Sequence, residues 1–185
     1  LGSGKELGMS TTYLVQDQPG GIAQALGLVK PHIRSQQFAV ILGDNIFDSS
    51  ICDPLIQATQ SYTYDKYRPQ ASVFLKEVKD PDRFGVAELI PDSHKVKSIE
   101  EKPGYPKSNL AVTGLYVYDQ HVFDAISTLK PSKRGELEIT DVNNWYISHG
   151  SLQSFFVEGF WSDAGTHESY RHSNMYVWSH LNDWD

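Results

Sequence analysis

Cysteine is almost absent: Cys52 is the only one in 185 residues. A single thiol excludes an internal disulfide framework and a cysteine-built metal cluster, and it fits the cytoplasm. Long apolar runs are missing as well. No window approaches the ~18 uninterrupted apolar residues of a membrane-spanning helix, and no secretory signal stands at the start. Positive charge is scarce: 16 Lys and Arg against 23 Asp and Glu leave a formal net charge of −7. That excludes a general nucleic-acid coat, which needs a basic face. It also means that any polyphosphate ligand must be received by local cations or a metal. The 7 histidines are scattered, so no zinc site is expected, and His167 reads as a helix-start or packing residue. Neither a hexapeptide series nor a low-complexity linker appears. What is present is ordinary for one globular domain with a core: 39% hydrophobic and 21% charged residues.

Residues 11–16 (TTYLVQ) read as a short β-prone run and 17–21 (DQPGG) as a turn. Apolar spacing predicts a helix over 22–29, stopped by Pro31. A strand follows at 38–42, a helix from 51 to about 62, a loop at 61–70, and strands at 71–78 and 86–90. PDSHK reads as a hairpin turn into a strand at 96–101, and 111–118 (AVTGLYVY) is a strong strand. Helices near 122–129 and 138–149, a strand at 152–157 and a helical tail from His167 complete the reading. The alternation predicts an α/β, Rossmann-like three-layer domain with a mixed, mostly parallel sheet.

In such sheets ligands bind beyond the carboxyl ends of parallel strands. Asp44 stands just past one, in FAVILGDNIF. It can hold a divalent cation that in turn holds phosphates, or it can cap the next element. IEEKP, SKRGELEITD and FWSDAGTHES add carboxylates and cations at other element ends, with Asp163 in a small-residue turn. Each alone has a plain structural reading: a solvated strand face for Glu100 and Glu101, or a helix start for Glu136, Glu138 and Asp163.

Taken in order, VQDQPGGIAQAL, VILGDNIF, DPDRFGVAE, IEEKP, PKSNLAVTGLYVYD, RGELEITDVNNWY and WSDAGTH resemble the sugar-1-phosphate nucleotidylyltransferases, most closely the group acting on glucose-1-phosphate and dTTP. The resemblance runs from Leu1 to about Ser173 and leaves the last residues, MYVWSHLNDWD, as a variable tail. It implies transfer of a thymidylyl group from dTTP to glucose-1-phosphate. The products are dTDP-glucose and pyrophosphate, as in dTDP-rhamnose-type nucleotide-sugar and polysaccharide biosynthesis. The chemistry asks for positioning and charge neutralisation rather than a protein nucleophile.

The resemblance also assigns roles. Asp44 and Asp163 hold Mg²⁺. Lys102 and Arg134 meet the sugar phosphate. Asn45, Gly85, Glu101 and Val112 hold the sugar, with Tyr116 a weaker candidate that also suits the core. Gln16 and Gly21 read the pyrimidine, although QPGG also reads simply as a turn. The implied partners are the two substrates and further copies of the same chain, with no nucleic-acid polymer and no membrane.

The family's Gly-rich loop with Thr-Arg and a downstream Lys is not found in residues 1–185, and the opening LGSGKELGMS reads as an internal loop. One nucleotidylyltransferase domain lacking that N-terminal segment is therefore expected, inactive and prone to aggregation by itself. Three rivals stand beside this reading. One is a transferase using UTP, CTP or ATP. Another is a metal-dependent glycosyltransferase, against which the absence of Asp-x-Asp at Asp44 counts. The third is a non-enzymatic binding or assembly module.

Overall fold

The structure, a computed structural model, describes residues 2–34, 36–60 and 70–180. In chain order it contains α1 (Ile22–Leu28), β1 (Gln37–Ile41), β2 (Asn45–Phe47), α2 (Cys52–Gln60), β3 (Ala71–Glu77), β4 (Gly85–Leu89) and β5 (Val96–Glu101). These are followed by β6 (Leu110–Asp119), α3 (Val122–Thr128), α4 (Ile139–Ser148), β7 (Leu152–Phe156), β8 (Trp161–Asp163) and α5 (His167–Ser179).

The centre is β6, whose apolar run is buried on both faces as its composition demands. Val112, Tyr116 and Tyr118 face a core closed by α1, α3 and α4, with Ala23, Leu26, Phe123, Val142 and Tyr146. Ala111, Leu115 and Val117 face the opposite way, toward Ala58 of α2, Phe74 and Trp161. The result is the helix–sheet–helix layering expected of an α/β domain. Buried polar groups in the first core are paired. The Asp119 carboxylate accepts from the Gln70 and His121 amides and the Tyr146 hydroxyl.

The sheet is mixed, but it is mostly antiparallel rather than mostly parallel. β6 runs against β3 along one edge, and against β1 and the start of β4 along the other. β4 and β5 form a hairpin. Among the described residues β3–β7 is the parallel pairing. The reason is an insertion. β1 and β3, joined through α2, run in the same direction, as strand–helix–strand alternation predicts. The later strand β6 enters between them in the opposite sense. Chain order does not reveal such an insertion.

Residues 11–16 form no strand. A β-prone run needs a ladder partner, and none pairs with it among the described residues; Val15 is left 80% exposed. The outer edge of β1 likewise has no partner among the described residues, and Ile41 beside it is 60% exposed. Two strands were not anticipated. β2 and β8 are three residues each and, among the described residues, pair only with one another. The loop at 61–69, the helix end near Tyr62 and the last five residues lie outside the described residues. No described helix is long and apolar enough to cross a membrane.

Candidate active site

Asp44 and Asp163 are 119 positions apart in number, yet the β2–β8 ladder sets Asn45 opposite Asp163. The amide of Ala164 also donates to the Asp44 carbonyl. The two carboxylates therefore converge. A Cβ built on Gly165 would lie 3.5 Å from Asp163 Oδ2 and 3.6 Å from Asp44 Oδ2. Burial pushes the Asp163 carboxyl up, Arg83 pulls it down, Asp44 pushes it up again, and it ends above its ordinary value.

Side chains hold this small ladder in place. Asn45 Oδ1 accepts from the Gly114 amide at 2.8 Å and from Trp161 Nε1 at 2.7 Å, while its Nδ2 donates to Asp44 Oδ1 at 2.8 Å. The Asp48 carboxylate accepts from Ser50, from the Phe160 amide and from the Tyr176 hydroxyl, tying the end of β2 to the approach to β8 and to α5. Lys76 Nζ donates to the carbonyls of Val157, Glu158 and Gly159 at 2.7–3.0 Å, pinning the same approach to β3.

The carboxylate pair opens into a cavity of about 200 Å³ lined also by Asn45, Gly85, Glu101, Lys102, Val112 and Tyr116. The β4–β5 register sets Gly85 against Glu101. Glu101 Oε2 accepts from Thr140 Oγ1 at 2.6 Å, and Arg134 stands 3.6 Å from Glu101 Oε1. Lys102 has a left-handed backbone at φ 43°, fixed by its amide donating to the Phe84 carbonyl. Lys102 lines the cavity, and its ammonium has no partner among the described residues. The Tyr116 hydroxyl is pushed well up by burial and by the charges of Glu101 and Asp44, so it stays protonated between them.

Arg134 does not line the cavity. Its fork grips Glu136 at 3.0 Å, and Glu138 lies 3.8 Å away. It stands behind Glu101, with three carboxylates around it. Gln16 and Gly21 sit together at the start of α1, where Gln16 Nε2 donates to the Gly21 carbonyl at 3.2 Å, and the next residue, Ile22, lines the cavity. Gly21 has φ 93° and packs on Leu137, where a Cβ would come within 2.5 Å of the carbonyl oxygen. That contact fastens QPGG to the segment carrying Arg134.

Three residues of the site escaped the sequence reading: Thr140, Trp161 and Arg83. Arg83 lies in DPDRFGVAE, a motif of the resemblance from which only Gly85 was given a role; an arginine flanked by acids in a turn was the available clue. The donor set suits magnesium. Two hard carboxylates with no third His, Cys, Asp or Glu among the described residues make an incomplete shell. Magnesium completes such shells with water and phosphate oxygens.

A profile of the nucleotidyl transferase family matches residues 1–179. The chain is 42% identical over 179 residues to a glucose-1-phosphate thymidylyltransferase of Neisseria meningitidis, covering 96% of this chain and 60% of that protein. It is 39% identical over 178 residues to the low-salt glycan biosynthesis nucleotidyltransferase of Haloferax volcanii, covering 96% and 48%. A crystal structure from Bacillus anthracis, described as a glucose-1-phosphate thymidylyltransferase in complex with a sucrose, is 49% identical. It superposes with a TM-score of 0.84 over 95% of this chain and 68% of that one. A UDP-glucose pyrophosphorylase complexed with UDP-glucose is 27% identical, with a TM-score of 0.74 over 91% and 66%. The chain spans about 60% of the length of the first of these curated relatives.

Proposed function

The chain belongs to the nucleotidyl transferase family, and we propose that it acts in a glucose-1-phosphate thymidylyltransferase. The reaction joins glucose-1-phosphate to the α-phosphorus of dTTP, releasing pyrophosphate and forming dTDP-glucose. The observation that carries the reading is the convergence of Asp44 and Asp163 at one end of a cavity whose walls hold Gly85, Glu101, Lys102 and Val112.

The residues divide the work. Glu101, oriented by Thr140 and Arg134, accepts hydrogen bonds from sugar hydroxyls. Gly85 and Val112 bring backbone close to the ring. Lys102, held in a costly left-handed conformation at the cavity wall, meets the sugar phosphate as a point charge. Arg134 reinforces it from behind Glu101. Gln16 and Gly21 offer amide groups to the pyrimidine beside Ile22. Asp44 and Asp163 would hold Mg²⁺, which neutralises phosphate charge when bound.

Thymidylyl transfer is favoured over uridylyl transfer by relatives of that description at 42% and 49% identity, against 27% for the uridylyl neighbour. The test is pyrophosphate release by the protein at its natural length, with Mg²⁺ and glucose-1-phosphate. Release from dTTP should exceed release from UTP, CTP or ATP, and it should collapse in Asp44→Asn. Preference for another triphosphate, or full activity in Asp44→Asn, would overturn the reading.

A further inference from the structure

The Asp163 carboxylate already has a cation. Arg83 Nη2 donates to Asp163 Oδ2 at 2.8 Å, while its other terminal nitrogen donates to Asp80 Oδ2 at 2.9 Å. Oδ2 is also the Asp163 oxygen that, with Asp44 Oδ2, lies beside Gly165. The Asp163 oxygen that lies on the Gly165 side, as Asp44 Oδ2 does, is therefore the atom that Arg83 holds.

Arg83 is built to stay there. It closes the 3₁₀ turn Pro81–Arg83, where its own amide donates to the Asp80 carbonyl and that of Phe84 to the Pro81 carbonyl. Its guanidinium carbon lies 5.0 Å from the Phe84 ring centroid, and that ring packs against Trp161 at 5.2 Å. Trp161 begins β8, the strand that ends in Asp163. Arg83 and Asp163 thus ride on segments packed against each other. Asp80 holds the far side of the fork, so the guanidinium is positioned before any ligand arrives.

We propose that Arg83 is the resident counter-cation of the Asp44–Asp163 pair and that a divalent cation must compete with it for Asp163 Oδ2. This rests on the metal reading given under Proposed function. Arg83 is a positioning residue here. It neutralises one of two repelling carboxylates while the site is empty of metal. With a divalent ion held by Asp44 and Asp163, Arg83 would still line the cavity, where its planar fork suits phosphate oxygens.

The test is direct binding of Mn²⁺, followed by calorimetry and by loss of the free-ion paramagnetic resonance signal, in the protein at its natural length without nucleotide. Removing a neighbouring positive charge lowers repulsion, so Arg83→Gln should bind Mn²⁺ about tenfold more tightly. Arg83→Lys keeps the charge and should bind close to the unaltered protein. Circular dichroism melting separates these changes from unfolding. Weaker or unchanged Mn²⁺ affinity in a folded Arg83→Gln, or a Lys variant that behaves like Gln, would overturn the proposal. Asp163→Asn distinguishes the two levels. If it binds Mn²⁺ as well as the unaltered protein does, the metal reading itself fails, whatever Arg83 does.

Discussion

The two ends of the cavity are constructed by different means. The Glu101 end is made by regular backbone: the β4–β5 hairpin, the long buried strand β6 and the first turn of α4. The Asp44–Asp163 end rests on two three-residue strands. Its position depends on side chains, namely Asn45 across to Gly114 and Trp161, Asp48 across to Phe160 and Tyr176, and Lys76 across to three carbonyls. A backbone ladder tolerates many side chains at a given place. A side-chain clamp fails when one atom is removed. The first end should therefore lose function by degrees under mutation, and the second abruptly.

The largest effect should come from Asp163→Asn. It removes one charge from the proposed metal-binding pair without changing shape. Turnover of dTTP and glucose-1-phosphate should fall on the order of 10²–10³-fold, while the melting temperature stays within a few degrees. A large drop in melting temperature would mean that Asp163 acts mainly as a structural partner of Arg83.

Asp48→Ala should be the next most damaging change, through stability rather than chemistry. It leaves the Phe160 amide and the Tyr176 hydroxyl without their acceptor. The expected cost is about 2–3 kcal/mol, roughly 5–10 °C in melting temperature for a chain of this size. Burial pushes the Asp48 carboxyl up, but the hydrogen bonds from Ser50, Phe160 and Tyr176 outweigh it and hold the group below its ordinary value. A depressed carboxyl stabilises the fold above its unfolded pKa of about 4, and that contribution is lost as pH falls through the folded value. The gap in melting temperature between the two proteins should thus narrow as pH falls below about 4. A constant gap would contradict the clamp.

Glu101→Ala tests the ladder-built end. It should reduce kcat/KM for glucose-1-phosphate roughly ten- to a hundredfold, the worth of a hydrogen-bonded charge, and leave the triphosphate KM unchanged. Equal losses on both substrates would argue that Glu101 only supports the fold. Thr140→Val, which removes the hydroxyl orienting Glu101, should cost least: about two- to tenfold in the same parameter. A loss as large as that of Glu101→Ala would make the hydroxyl a substrate contact in its own right.

The same contrast explains what could be read from the sequence. β3, β5, β6, α3 and α4 are found where apolar spacing predicts them, because their residues answer to local period and burial. Residues 11–16 have strand composition and form none, because pairing is not a local property. The sense of the sheet was misread for a related reason: the insertion of β6 between β1 and β3 leaves no mark in either strand. Glu101, Gly85 and Val112 were named through family resemblance; the β4–β5 hairpin sets Gly85 against Glu101, and the β4–β6 pairing brings the strand carrying Val112 beside them. The Asp44–Asp163 pair was named on the same basis, but nothing in NIF or WSD announces that these triplets pair. Arg83 went unnoticed because its meaning comes from Asp163, eighty positions on.

Lys102 is a position at which the fold and the chemistry would vote differently. Its φ of 43° is natural to glycine and strained for lysine. Lys102→Gly should raise stability by about 0.5–1 kcal/mol, while removing a cation from the cavity wall. In a library of variants sorted for abundance, glycine would be enriched at this position. In the same library sorted for product formation, it would disappear.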